Sequence, residues 1–235
     1  MSDIAEKLTT IAENQQKIYD KGMRDKEDQF WEEVQKGGTR ANYIYGFCSW
    51  DCEYIRPKYK VVPTSTVHHL FLSCQKLKKI EAQYFDLSNV PINYITSSQG
   101  ISVLANGCFE LEEIEDIGLK VGMCYQAFSN CYKLKKIAKI TVDEKSTFTD
   151  CFKRCDSLED ITFEGVIGQN ISFADSPLLS DASLENIAQH LKDFLPEWKE
   201  GDGDKAIITL HATVKERIKN TEIENLIKSK KWGIA

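Results

Sequence analysis

Eight cysteines and four histidines are the residues of this 235-residue chain best suited to chemistry. A thiolate is a nucleophile and a metal ligand, and an imidazole is a base or a ligand, so spacing decides what is open to them. Four cysteines recur in one frame, x-x-x-Cys-x-x-Leu-x-x-Ile: Cys74/Leu77/Ile80, Cys108/Leu111/Ile114, Cys131/Leu134/Ile137 and Cys155/Leu158/Ile161. A cysteine held at a constant distance from two aliphatic residues reads as a small buried hydrophobe. Its weak S–H donor suits the turn carbonyls of successive units. Cys48 and Cys52, with His68 and His69, are the remaining metal candidates. Their Cys spacing suits structural zinc, but the adjacent histidines lack the gap of roughly three to five residues that such sites use. Asp202 and Asp204 around Gly203 suggest calcium, yet no third oxygen donor or bidentate Glu follows at the proper spacing. No Gly-x-Ser-x-Gly, P-loop, His-Glu-x-x-His or Gly-x-Gly-x-x-Gly occurs. A Cys/His nucleophile needs partners brought together by the fold, and no pair stands out. The expectation is therefore no catalytic residue, no cofactor and no metal, with the four cysteines as a structural ladder.

A unit that recurs with its apolar residues in constant places cannot bury its own apolar face and must stack on its neighbours. Cys108 to Cys131 is 23 residues, Cys131 to Cys155 is 24, and Cys74 to Cys108 is 34, so the first unit carries an insertion around Asn93 to Gly100. Phe173, Ser176 and Leu179 suggest a degenerate fifth unit, with Ser in the Cys place and Pro177 beside it. The two residues between Leu and Ile read Lys78-Lys79, Glu112-Glu113, Lys135-Lys136 and Glu159-Asp160. Stacked at the inter-strand spacing of roughly 4.8 Å, these alternating signs attract, whereas a slip of one unit sets like on like. The fold class predicted is α+β, a solenoid of four to five coils with an N-terminal helix and a helix–strand–helix C-terminal cap.

The boundaries that follow are 1–28 for an amphipathic helix and linker, 29–66 for an aromatic N-terminal cap, 67–180 for the repeats and 181–235 for an α/β cap. In the first segment Ile4, Leu8, Ile11 and Ile18 form an a/d seam with Gln15 in the missing slot. Two heptads are too short to stand alone. The seam predicts either a short parallel coiled coil joining two or three chains, a helix packed on its own domain, or a partner-docking helix. Phe30, Trp31 and Val34 begin a second short helix that Gly37-Gly38 closes, and Tyr43, Tyr45 and Phe47 alternate as a strand. This aromatic density, continued by Trp50, Tyr54 and Tyr59, reads as a plug for the open end of the stack or as the lining of a glycan groove. Beyond the repeats, helices are expected at Leu184 to Leu195, Val214 to Lys219 and Glu222 to Lys230, with a strand at Ala206 to Leu210.

The net charge of −6, from 30 basic and 36 acidic residues, leaves no one-sign stripe for nucleic acid. The polar, acidic start Met-Ser-Asp-Ile-Ala-Glu is no secretory signal, and no run of about 18 apolar residues exists to span a membrane. The expectation is a cytoplasmic or virion-associated protein with no nucleic-acid or membrane partner. Reduced thiols are expected throughout, because disulfides rarely persist in a reducing compartment.

The frame Phe-x-x-Cys-x-x-Leu-x-x-Ile, whole at Phe71–Ile80, Phe128–Ile137 and Phe152–Ile161, resembles the BspA-like class of bacterial leucine-rich repeats over residues 65–180. The opening helix, the Arg56-Pro57-Lys58-Tyr59 region and the closing Ile208-Thr209-Leu210-His211 and Lys230-Lys231-Trp232-Gly233-Ile234 are similar to short repeat proteins of phages and prophages of gut Firmicutes. The resemblance implies a non-enzymatic, tail-associated or surface-recognition component that binds protein or glycan, and it names no catalytic residues. The alternative is a cytoplasmic inhibitor or regulator that masks a bacterial enzyme, for which an acidic repeat protein is suited.

Overall fold

Each repeat frame folds into the same pair of tight turns. The residue before every frame cysteine is left-handed (Ser73, Gly107, Asn130 and Arg154, φ 60°, 76°, 62° and 57°), and so is the residue five before it (His69, Val103, Gln126 and Asp150). A positive φ at the third place of a turn lets the cysteine N–H reach back to the carbonyl three residues earlier. These bonds run from Cys74 to Phe71, Cys108 to Ala105, Cys131 to Phe128 and Cys155 to Phe152, at 3.2–3.3 Å. Glycine and asparagine adopt that conformation readily. Val103, being β-branched, does so only because the units on either side hold it.

The computed structural model describes residues 10–11, 13–15, 28–29, 31–32, 52–65, 67, 69–94 and 101–235. Among the described residues from Lys79 onward, eight strands, three helices and a 3-10 turn follow in order: β1 (Lys79–Ile80), β2 (Glu113–Ile114), β3 (Leu119–Met123), β4 (Lys136–Thr147), β5 (Asp160–Gly165), β6 (Ile171–Phe173), α1 (Asp181–His190), the turn Leu195–Glu197, β7 (Ala206–Leu210), α2 (Ala212–Ile218), α3 (Glu222–Ser229) and β8 (Trp232–Ile234). Every strand pairing among the described residues is parallel. The larger sheet runs β1-β2-β4-β3 with β5 also on β4, and the smaller runs β6-β7-β8.

The α+β leucine-rich-repeat solenoid with its two caps is corrected to α/β. Three findings overturn it. Strand β4 is 12 residues long and pairs with three neighbours, β2, β3 and β5. The last three strands form a separate sheet, and they alternate with helices as β6-α1-β7-α2-α3-β8, the parallel α/β pattern. The frame sets local turns and the register between neighbouring units. It carries no information on how far a strand extends or which sheet it joins.

The core runs between the turns and the strands. Phe128 stacks on Phe152 (centroids 5.9 Å) and Phe152 on Phe173 (4.9 Å). Leu77, Leu111, Leu134 and Leu158 are fully enclosed beside them. Trp31 packs edge-on to Phe85 at 5.3 Å at the early end, while Tyr54 and Tyr59 face outward. The larger sheet is closed at its far edge by α1. Ser183 Oγ accepts the Ile161 N–H (2.9 Å) and Asn186 Oδ1 the Phe163 N–H (2.7 Å), so the helix takes over donors that a further strand would bind. Helix α1 starts at Ser180, whose hydroxyl caps Ser183 N–H, and ends where the Lys230 ammonium donates to the carbonyls of Ala188, Gln189 and Leu191 (2.6–2.9 Å). The helix ends at His190 rather than Leu195 because Leu191 turns to extended backbone. No helix among the described residues is long and apolar enough to cross a membrane.

Candidate functional site: the cysteine column and the groove beside it

The frame cysteines form a column of turn-capping donors. Cys108 Sγ donates to the Phe71 carbonyl (2.9 Å), Cys131 Sγ to Ala105 (3.1 Å) and Cys155 Sγ to Phe128 (3.2 Å). Ser176 continues the column, donating to the Cys155 carbonyl at 3.3 Å. Cys74 is likewise buried at its start. Burial pushes the Cys131 thiol up to about 12 and raises Cys108 and Cys155 well above the ordinary thiol value. Such thiols stay protonated at neutral pH and are poor nucleophiles.

The other sequence candidates fall only in part within the described residues. Cys52 donates to the Tyr54 carbonyl (2.8 Å), while Cys48 and His68 lie outside the described residues. No group of three His, Cys, Asp or Glu side chains among the described residues is placed to hold a metal ion. Asp202 receives the Lys205 ammonium (2.7 Å) and the Lys199 N–H (3.1 Å), which hold its carboxyl below the usual range as a plain turn would. Of the oligomerisation candidates, Ile4, Leu8 and Ile18 lie outside the described residues, and Ile11 is exposed on a helical turn. Cys124 and Cys151 correct the expectation of thiols throughout: they are joined as a disulfide, Cα atoms 5.6 Å apart. Neither occupies the frame position, so the repeat pattern gave no means of pairing them.

The exposed face of the larger sheet carries the alternating charges. Its register sets Lys79 beside Glu113, Glu113 beside Lys136 and Lys136 beside Asp160. The Lys79 ammonium sits between Glu113 (2.8 Å) and Glu115 (2.7 Å), and Lys135 reaches Glu112 at 3.1 Å. Lys139 bridges Asp116 (2.9 Å) and Glu164 (3.7 Å). Each such pair stabilises by only about 0.2–1 kcal/mol. Together they neutralise the face and leave it little charge to offer a partner.

A groove opens between the turn segment that follows β4 and the smaller sheet. Between the repeats, alternate N–H groups of one turn segment donate to the next: His69, Phe71 and Ser73 to the carbonyls of 102, 104 and 106, then Val103, Ala105 and Gly107 to 125, 127 and 129. Cys124, Gln126, Phe128 and Asn130 donate in the same way to 147, 149, 151 and 153. There the ladder stops, because β6 turns its main chain to β7 instead. The interval from Cys155 to Ser176 is 21 residues, shorter than the 23 and 24 before it, and the last unit steps away from the turn segment. The gap is a cavity of about 610 Å³, walled by Thr147 to Asp150 and floored by Ser172, Ile207 and Thr209. It continues into a second of about 210 Å³ that shares Asp150 and Ser172 and reaches Phe152 and Asp175. Sequence reasoning missed this groove. Its only trace was the short last interval and the Cys-to-Ser exchange at Ser176.

Compared with known proteins, the chain matches no protein-family model, no curated protein and no solved structure.

Proposed function

We propose that this chain is a non-enzymatic interaction module, a phage or prophage accessory or tail-associated structural component that offers its surface to a protein or glycan partner. The observation that carries the reading is the contrast between a charge-paired sheet face and the open groove between the turn segment and the smaller sheet. The protonated, hydrogen-bonded thiols support it, since the residue type richest in chemical potential is committed to capping turns. The likeness of the repeat frame and flanks to phage-encoded repeat proteins supplies the biological setting. The test is peptide mass spectrometry of particles induced from a strain that carries the gene and purified on a density gradient. The chain should follow the capsid protein across the gradient at a constant ratio. Its confinement to the free-protein fractions overturns the particle assignment.

A further inference from the structure

From the interrupted ladder we infer that the groove binds an extended polypeptide segment of a partner protein, taking its main-chain carbonyls on the free N–H groups of residues 148–152. This inference deepens the interaction reading above and rests on it. Three observations converge on peptide rather than another ligand.

The first is the donor row. In the alternation that joins each turn segment to the next, the donors following Cys124, Gln126 and Phe128 are Phe148, Asp150 and Phe152. None of these three N–H groups has an acceptor among the described residues. The row lies on a turn segment with Asp150 left-handed (φ 51°), and in each earlier unit such a row takes main-chain carbonyls at alternate residues, which an extended chain also presents on one side. The second is the next donor in the row. The Arg154 N–H takes a carboxylate oxygen of Asp175 at 2.8 Å, so the row already accepts an oxygen that is not part of a neighbouring main-chain ladder. The third is the floor. Ile207, 41% exposed, lies beside the cross-strand pair of hydroxyl-bearing Ser172 and Thr209, an aliphatic seat with hydrogen-bonding groups at one side. Its own N–H is held by Asn170 Oδ1 at 2.8 Å, which keeps this part of β7 in place. A small aliphatic side chain fits there. A sugar ring would find no exposed aromatic face to stack on, because Phe148, Phe152 and Phe173 are all buried.

The groove is closed at both ends, so it takes a short segment. Gly168 lies so near Glu144 that an added Cβ would fall 2.4 Å from its carbonyl oxygen. At the opposite end Asp175 spans the gap, its carboxylate accepting the Arg154 N–H at 2.8 Å.

A random dodecapeptide library displayed on phage and panned on the full chain tests the inference, with counter-selection on the Ile207→Lys variant. Peptides should be enriched that bind the native chain and lose at least tenfold in affinity to Ile207→Lys. Hydrogen exchange of the 147–153 segment should slow at least tenfold when such a peptide is added. If Ile207→Lys does not melt like the native chain, Ser172→Arg, on the same floor, replaces it. Four results overturn the inference: no enrichment, binding indifferent to the floor variant, protection elsewhere, or an oligosaccharide from a glycan array that displaces the peptide and shares its dependence on Ile207. The particle test reads independently. A chain that travels with particles but fails here keeps its interaction role through another surface or ligand, whereas a floor-dependent peptide on a chain absent from particles moves the groove to a different setting.

Discussion

At the scale of single residues, the cysteine column shows how a reactive side chain becomes structural. A thiol enclosed by the core and aimed at a carbonyl is held protonated, so its contribution is packing plus one weak hydrogen bond. Iodoacetamide at pH 8 should leave Cys108, Cys131 and Cys155 unmodified in the folded chain and label them on unfolding, as peptide mapping will reveal. Replacing Cys131 by Ala removes the thiol's bond to the Ala105 carbonyl, which keeps the Cys108 N–H, and denaturant melts should register a loss of about 1 kcal/mol. Cys131→Ser should cost less, since a hydroxyl in that place still donates to the Ala105 carbonyl. This column was legible in the sequence because its signal is periodic. The disulfide between Cys124 and Cys151 was not, because the two residues hold different offsets from their frames and meet only through the stacking of units.

At the scale of elements, parallel strands as short as two residues are held by their neighbours and by cross-strand charges. Lys79→Glu sets three carboxylates together and should lower stability by about 1 kcal/mol at low salt, with part regained in the Lys79→Glu/Glu113→Lys double variant. A double-mutant cycle by thermal melts, repeated in high salt where the coupling shrinks, checks both statements. Gly165 ends β5 at φ 99°, where an added Cβ would lie 1.9 Å from the Val142 carbonyl oxygen. Gly165→Ala therefore has to part β4 from β5, at a cost of about 3 kcal/mol or more in denaturant melts. The register of the charged residues could be read beforehand from alternating sign. Strand lengths could not, since the residues that continue β4 beyond Ile137 lie outside the repeated frame.

For the whole molecule, ionisation follows the same economy of paired groups. Glu115 is held below its ordinary range by Lys79 and the Ala82 N–H, Asp86 by the Ser88 hydroxyl and N–H, and Glu224 by Lys228 and the Asn220 N–H. In acid the unfolded chain binds protons at these carboxyls before the folded chain does, so their contribution is complete above the ordinary values of 3.8 and 4.5 and drains away as pH falls through the lowered ones. Circular dichroism in urea should give a stability that is flat from about pH 5 to 7 and drops below about pH 4. A loss beginning well above pH 5 would contradict these assignments. What the amino-acid order settled by itself was local: the turns, the buried thiols, the apolar ridge and the register of opposite charges, all consequences of contacts that repeat at near-constant separation. Only the tertiary structure decided that β4 would gather three neighbours, that β6 would desert the ladder for β7, and that a groove would open where it left. The physical reason is that a hydrogen-bond donor's partner across a fold is set by where two distant segments come to rest, and no pattern within either segment encodes that distance.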